Sequence, residues 1–132
     1  MSIWNETAPR YSCFLWFIDG NAQLSPKARS LIEDEANQVY LSMASLWEMG
    51  IKISTGKLTF AQPLEKFIPQ LLVANDFRII NVDLRHIGTI TTLPFHHRDP
   101  FDRLLIAQAM VANMPLLSTD SAFDAYPITR LW

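Results

Sequence analysis

The stretch that decides the fold is residues 96–109, His-His-Arg-Asp-Pro-Phe-Asp-Arg-Leu-Leu-Ile-Ala-Gln-Ala. Asp99 precedes a proline and Asp102 follows three positions later, so both acids fall where a helix begins. The apolar residues that follow predict that this helix is buried in a core. Carboxylates at the start of a buried helix suit a hard cation such as Mg²⁺. The alternative is structural: Asp99 caps the helix, and Asp102 in its first turn interacts favourably with the helix dipole.

On both sides of this helix, which should run over 100–113, the sequence alternates between strand and helix patterns. Strands are expected at 39–42, 78–82, 116–118 and 128–132, and further helices at 26–37, 43–55, 64–75 and 84–92, with a helical turn at 120–125. Residues 14–18 fit the end of a buried strand or the start of a helix, and Pro69 should kink or break its helix. The alternation predicts an α/β fold, a three-layer α/β/α sandwich with a central parallel sheet.

Acidic residues follow the predicted strands at the positions where such a sheet places its functional crevice, the carboxyl ends of the strands. Asp120 follows the 116–118 strand, and Glu48 lies about two turns into the helix that leaves the 39–42 strand. Each has a structural alternative, since Asp120 could cap the next turn and Glu48 could pair with Lys52 on the surface. Carboxylates 4 Å apart repel by about 4 kcal/mol at an effective dielectric near 20. A cluster of these acids would therefore require a divalent cation.

Composition restricts the function further. The 132 residues are enough for a single domain with a sizeable core, and 49% hydrophobic with 18% charged residues indicates a globular chain. The net charge of −2 excludes a global basic field, so nucleic acid would have to meet a local patch or a metal. Lys52, Arg98 and Arg103 are the candidate phosphate contacts. The single cysteine, the short apolar run at 13–18 and the lack of a signal-peptide pattern predict a cytoplasmic protein with no membrane segment.

Several motifs together resemble the PIN-domain toxins of the VapC type. They are Leu-Ser-Pro-Lys-Ala-Arg at 24–29, Ser-Leu-Trp-Glu-Met-Gly-Ile-Lys at 45–52, the stretch at 97–109, Ser-Thr-Asp-Ser-Ala-Phe at 118–123 and the terminal Leu-Trp. The resemblance runs from Phe14 to Trp132. It implies a PIN-like α/β/α sandwich, a ribonuclease that depends on Mg²⁺ or Mn²⁺, and a cognate antitoxin as partner. The second, third and fourth acids of the family fall on Glu48, Asp102 and Asp120, and Asp99 matches a further acid.

The N-terminus departs from this resemblance. Similar toxins begin with a short apolar strand that ends in Leu-Asp-Thr-His, and counting back from Leu15 and Trp16 places Arg10 where the first acid should be. Residues 1–13 therefore form an atypical start, with no strand or helix period in residues 1–12. We expect them to be poorly packed or to form a strained substitute for the central strand, because a strand buried on both faces requires an apolar run. Synonymous codons for residues 5–13 can be chosen so that the frame one base later encodes Met-Lys-Leu-Leu-Leu-Asp-Thr-His. A frameshift near Cys13 explains this coincidence, and an unrelated divergent N-terminus is the alternative.

Two functions follow from these observations. The first is a metal-dependent endoribonuclease toxin of a type II toxin–antitoxin pair, with RNA as substrate and a homodimer as the expected assembly. The second is a catalytically inactive PIN-like module that binds antitoxin or RNA, because Arg10 replaces an acidic ligand. Position 10 discriminates between them.

Overall fold

The computed structural model describes residues 2–5 and 12–132, and this part of the chain alternates between strands and helices. The strands are β1 (Ser2–Asn5), β2 (Gln38–Ser42), β3 (Arg78–Ile80), β4 (Leu116–Leu117) and β5 (Arg130–Leu131). The helices are α1 (Ser12–Asp19), α2 (Pro26–Glu33), α3 (Met43–Ser54), α4 (Leu64–Asn75), α5 (Leu84–Ile90) and α6 (Pro100–Ala112), followed by a 3₁₀ turn at Ser121–Ala125. No helix in the described residues is long and apolar enough to cross a membrane.

The strands form one parallel sheet in the order β3-β2-β1-β4-β5. Strand β1 lies at the centre, where Ile3 pairs with Val39 of β2 and Trp4 pairs with Leu116 of β4. A parallel pair needs a crossover connection, and helices supply the crossovers here. The predicted α/β fold with a parallel central sheet is confirmed.

Alternating residues of the strands place two separate cores on the two faces of the sheet. In β2, Val39 and Leu41 join one core while Tyr40 packs against the other. In β4, Leu117 joins the first core and Leu116 the second. Residues of α1, α2, α3 and α4 complete the first core, and residues of α6 and the 3₁₀ turn complete the second. Helices therefore cover both faces, as the three-layer prediction requires.

Local signals explain where most helices begin. The Ser25 side chain accepts a hydrogen bond from the Ala28 N–H, and Pro26 occupies the first turn of α2. Ser42 caps α3 in the same way, and Asp83 and His86 form a capping box at α5. These caps satisfy backbone donors that a helix start leaves open.

Three local expectations can be compared with the structure. Residues 2–5 form the central strand, although the start of the chain has no strand period. Its backbone pairs with β2 on one side and β4 on the other, and such pairing needs no alternating pattern; Ile3 and Trp4 are residue types that favour strands. Residues 14–18 belong to helix α1, which confirms the second of their two predicted alternatives. A break at Pro69 is wrong, because α4 continues through this residue.

Candidate active site

The carboxyl edge of the sheet gathers the segments that carry the predicted acids. The strands are parallel, so the chain leaves β2 and β4 at the same edge, and α6 must begin near it because α6 leads back into β4. Two contacts join these segments. The rings of Trp47 and Phe101 lie 5.1 Å apart, and His97 Nε2 lies 3.3 Å from Asp120 Oδ2. The helix of Glu48 therefore adjoins the first turn of α6, and the segment before α6 adjoins Asp120.

Both acids of α6 occupy the predicted positions at its start. Asp99 is the N-cap, and its Oδ1 accepts a hydrogen bond from the Phe101 N–H at 2.8 Å. Asp102 lies in the first turn and is half-buried, ahead of a buried run over 103–109. The structural alternative for Asp99 is thus confirmed. It is compatible with cation binding, because this cap uses one of the two carboxylate oxygens.

Glu48 is the most deeply placed of the acids. It is 2% exposed, whereas the adjacent Trp47 is 63% exposed, so α3 turns Glu48 towards the inside of the protein. The structural alternative placed Glu48 on the surface, and its burial contradicts that placement. Proteins bury a carboxylate where hydrogen bonds or a cation compensate the cost of removing it from water. Glu48 is therefore suited to a role that a surface acid would not fill.

Asp120 lies directly beyond the carboxyl end of β4, as predicted, and both of its carboxylate oxygens are engaged. Its Oδ1 accepts the Ala122 N–H at 3.0 Å and so caps the 3₁₀ turn. Its own N–H donates to Ser118 Oγ at 3.0 Å. Its Oδ2 faces His97 at 3.3 Å. These contacts fix the position of an acid whose side chain is still 30% exposed.

The Arg130 guanidinium binds residues on both sides of Asp120 in the sequence, Ser118 and Asp124. Arg130 donates from Nη1 to the Ser118 carbonyl at 3.1 Å and from Nε to Asp124 at 2.9 Å. The hydrogen bond from Arg130 lowers the pKa of Asp124. The Arg130 pKa is raised, mainly by Asp124 and to a smaller extent by the charge of Asp120. This end of β4 is thus anchored by a charged pair on the side of the 3₁₀ turn.

His97 is a site residue that the sequence analysis did not single out. Its side chain is 9% exposed. Its ring stacks on that of Phe123, with the ring centroids 4.7 Å apart and an angle of 16° between the ring planes. Its Nδ1 lies 3.2 Å from the Tyr126 hydroxyl oxygen. Residues 97 and 120 lie 23 positions apart, so their pairing follows from the fold and has no local sequence signal.

The other histidines have different surroundings. The His86 Nδ1 accepts the Asp83 N–H at 3.0 Å, and burial is the main cause that lowers the pKa of His86. His96 is exposed and sets the edge of its ring against Tyr126 at 5.0 Å. Neither residue shares the contact that His97 makes with Asp120.

The predicted phosphate contacts divide into two kinds. Arg98 is exposed and Lys52 is half-buried in the last turn of α3, so an RNA-contacting role remains a proposal for both. Arg103 is 6% exposed and donates to backbone carbonyls of the segment before α6, those of Ile90, Leu93, Pro94 and His97. This placement contradicts an RNA contact for Arg103 and makes it a structural residue.

The donor types at this edge fit a hard divalent cation, because Glu48, Asp99, Asp102 and Asp120 all offer carboxylate oxygens. Within residues 2–5 and 12–132, no group of three or more His, Cys, Asp or Glu side chains forms an arrangement that could hold a metal ion. The chemistry of the donors therefore fits, and the described side chains do not by themselves complete the ligand set.

Comparison with known proteins gives the family. The PIN domain model matches residues 12–128. The chain belongs to the PIN domain family. Its structure is similar to that of VapBC2 from Rickettsia felis bound to a DNA fragment from their promoter, with a TM-score of 0.68 and 15% identity over 100% of this chain and 99% of that one. This likeness confirms the PIN-like fold. No curated protein matches the sequence.

Counting back from Leu15 and Trp16 places Arg10 where similar toxins have their first acid. Arg10 lies outside the described residues. Strand β1 ends at Asn5 and α1 begins at Ser12, so β1 ends five residues before Arg10. The residue that directly follows β1 in the sequence is Glu6. The motif count and the strand end thus nominate different residues for the first acid.

Proposed function

We propose that this PIN domain is a metal-dependent endoribonuclease toxin of the VapC type, the toxin of a type II toxin–antitoxin pair. RNA is its substrate, Mg²⁺ or Mn²⁺ its cofactor, and the cytoplasm its place of action. The observation that carries the proposal is the placement of Asp99, Asp102 and Asp120 with the helix of Glu48 at the carboxyl edge of a PIN-domain sheet.

Within this proposal Asp102, Asp120 and Glu48 hold the cation, with Asp99 at the rim. When bound, Mg²⁺ or Mn²⁺ activates water and stabilises the negative charge on the attacked phosphate. Lys52 and Arg98 offer positive charge to the RNA backbone. Phosphate contacts carry no sequence information, so other groups must give any preference for an RNA sequence.

An apolar groove between α3, α5 and α6 supports a protein partner. Its volume is about 340 Å³, and its lining consists of Trp47, Ile51, Ile87, Ile90, Pro100, Phe101 and Leu104. Exposed apolar patches often mark sites where a protein partner binds. Trp47 and Ile87 in this lining are 63% and 47% exposed, so a second copy of the chain can contact them. A two-fold contact pairs one patch with itself, and an apolar patch is complementary to its own copy. We therefore assign the groove to a homodimer, and a cognate antitoxin is the second proposed partner.

The test is cleavage of a mixed RNA pool with Mg²⁺ or Mn²⁺ and with EDTA. Asp102→Asn should abolish metal-dependent cleavage, because it removes a carboxylate from the proposed ligand set. Asp76→Asn is the matched control: Asp76 is exposed and precedes β3, at the opposite edge of the sheet. Cleavage that survives Asp102→Asn, or that persists in EDTA, would reject the proposed mechanism.

The second candidate is an inactive PIN-like module that binds antitoxin or RNA. The observation in its favour is Arg10, a cation at the position that the motif count gives to the first acid. On this hypothesis the chain cleaves RNA weakly or not at all, and replacing residues 1–13 by Met-Lys-Leu-Leu-Leu-Asp-Thr-His-Val restores cleavage. Equal activity of the two chains would reject it. In that case Glu6→Gln tests whether the acid that follows β1 in the sequence supplies the first carboxylate.

A further inference from the structure

We propose that His97 is a positioning residue: its imidazole holds the Asp120 carboxylate in one orientation towards the cation. The inference rests on the proposed function, because it gives His97 a part in the same site. It follows from the packing of His97 against the 3₁₀ turn and from the hydrogen bonds that surround its ring.

The two ring nitrogens of His97 face different partners. Nε2 lies 3.3 Å from Asp120 Oδ2, and Nδ1 lies 3.2 Å from the Tyr126 hydroxyl. The same hydroxyl accepts the His97 backbone N–H at 2.8 Å and lies 3.3 Å from the Pro94 carbonyl. Side chain and main chain of His97 are thus tied to Tyr126, and the far side of the ring is turned towards the acid.

This network selects the proton on Nε2. A carboxylate can only accept a hydrogen bond, so an unprotonated Nε2 would set two acceptors against each other. With the proton on Nε2, the ring donates to Asp120, while the Tyr126 hydroxyl accepts the His97 backbone N–H and donates to the Pro94 carbonyl.

Packing keeps the ring in place. Phe123, 1% exposed, stacks on the His97 ring and belongs to the 3₁₀ turn that Asp120 caps. The main chain before α6 is held by Arg103, whose Nη1 donates to the Pro94 carbonyl at 2.9 Å and whose Nη2 donates to the Leu93 carbonyl at 3.1 Å. Acid and imidazole thus belong to two segments that are each held by contacts of their own.

Both oxygens of Asp120 are then restrained, one by the Ala122 N–H and the other by His97. Hydrogen-bonded partners behind a metal ligand fix its orientation, and their loss typically weakens metal binding about 10–100-fold. A histidine that served only as core packing would owe its effect to the shape of its ring. A positioning histidine owes it to the N–H.

The test separates these roles by Mn²⁺ titration of the full chain, followed by electron paramagnetic resonance. His97→Phe keeps the ring and its stacking but removes the donor, and we expect about 10–100-fold weaker Mn²⁺ binding. His97→Gln restores an N–H donor at similar reach and should recover most of that loss. His96→Phe, a change at the exposed neighbouring histidine, should leave the affinity unchanged.

A measurement on the metal-free protein checks the hydrogen bond itself. The ¹⁵N shifts of the His97 ring should report a proton on Nε2 in the unmodified chain, and Asp120→Ala should alter that signal. A proton on Nδ1 alone would overturn the inference even if His97→Phe failed to fold.

The remaining outcomes distinguish this inference from the proposed function. Mn²⁺ affinity that is equal in the unmodified chain and in His97→Phe overturns the positioning role and leaves the nuclease proposal intact. Nitrogen coupling from His97 in the Mn²⁺ spectrum shows direct ligation and also overturns it. A chain that binds no Mn²⁺ removes the metal from the proposed function and the positioning role with it.

Discussion

Replacing Arg103 by methionine should lower the free energy of unfolding by about 3 kcal/mol. Methionine keeps an unbranched apolar stem and removes the guanidinium. The shorter of its hydrogen bonds reach the carbonyls of Pro94 at 2.9 Å and Leu93 at 3.1 Å, and two further bonds of 3.3 and 3.4 Å contribute less. Hydrogen bonds from a charged donor contribute about 1.5–3 kcal/mol each. Pro94 is exposed, so water can replace part of its bond.

The guanidinium also lies over the Phe95 ring at 4.0 Å from its centroid. Phe95 is 81% exposed, so this contact adds only about 0.5–1 kcal/mol. The estimate of about 3 kcal/mol adds three contributions. They are the bond to Leu93 near the lower end of the range, the bond to Pro94 that water partly replaces, and the cation–π contact with Phe95. The loss would free the segment that carries His97.

Urea unfolding followed by circular dichroism measures the change, with Arg98→Met as control. Arg98 is exposed, so its replacement should alter stability by less than about 0.5 kcal/mol. An unchanged slope of the free energy of unfolding against urea concentration would show that both variants expose the same surface on unfolding. A loss below about 1 kcal/mol for Arg103→Met would refute the structural role, since it would mean that the buried carbonyls lose nothing when the guanidinium is removed.

Two further outcomes are expected. The hydrogen bond from Arg85 lowers the pKa of Asp83 to about 2. The unmodified chain should therefore have a higher free energy of unfolding than Asp83→Asn above about pH 4, and this difference should vanish as the pH falls through about 2. A difference in urea unfolding that persists unchanged down to about pH 2 would contradict this. Ile87→Glu should convert the proposed homodimer to monomer in light scattering, because Ile87 lines the apolar groove, whereas Leu84→Glu on the same helix lies outside that lining and should not. A dimer retained in Ile87→Glu would move the interface elsewhere.

Most of the fold could be predicted because its helix starts carry local signals. The Ser25 and Asp99 caps precede prolines. They predict that α2 begins at Pro26 and α6 at Pro100, which are the first residues of these helices in the structure. Strands depend on partners distant in the chain. For that reason the sequence left residues 2–5 open between a poorly packed segment and a substitute for the central strand. Their pairing comes from β2 and β4, and they carry little pattern of their own.

The candidate site could be predicted only as far as strand ends and helix starts determine it. These rules place Asp102 and Asp120 at one edge of the sheet. They do not give the burial of Glu48, because neighbouring helical residues point about 100° apart and the sequence around it is apolar on both sides. They also miss His97, whose contact with Asp120 depends on how the segment before α6 packs against the 3₁₀ turn.

The end of β1 decides which chemistry this edge can support. Asn5 pairs with Leu117, so β1 ends beside the strand that leads to Asp120. The residue next in sequence is Glu6, and a carboxylate there would add to the charge that attracts a divalent cation. The motif count nominates Arg10 instead, and an arginine in place of an acid changes the local charge by two units. At 4 Å and an effective dielectric near 20, each unit changes the energy of a neighbouring charge by about 4 kcal/mol. Under the proposed function, the residue that takes the place of the first acid would therefore separate a nuclease from a binding module.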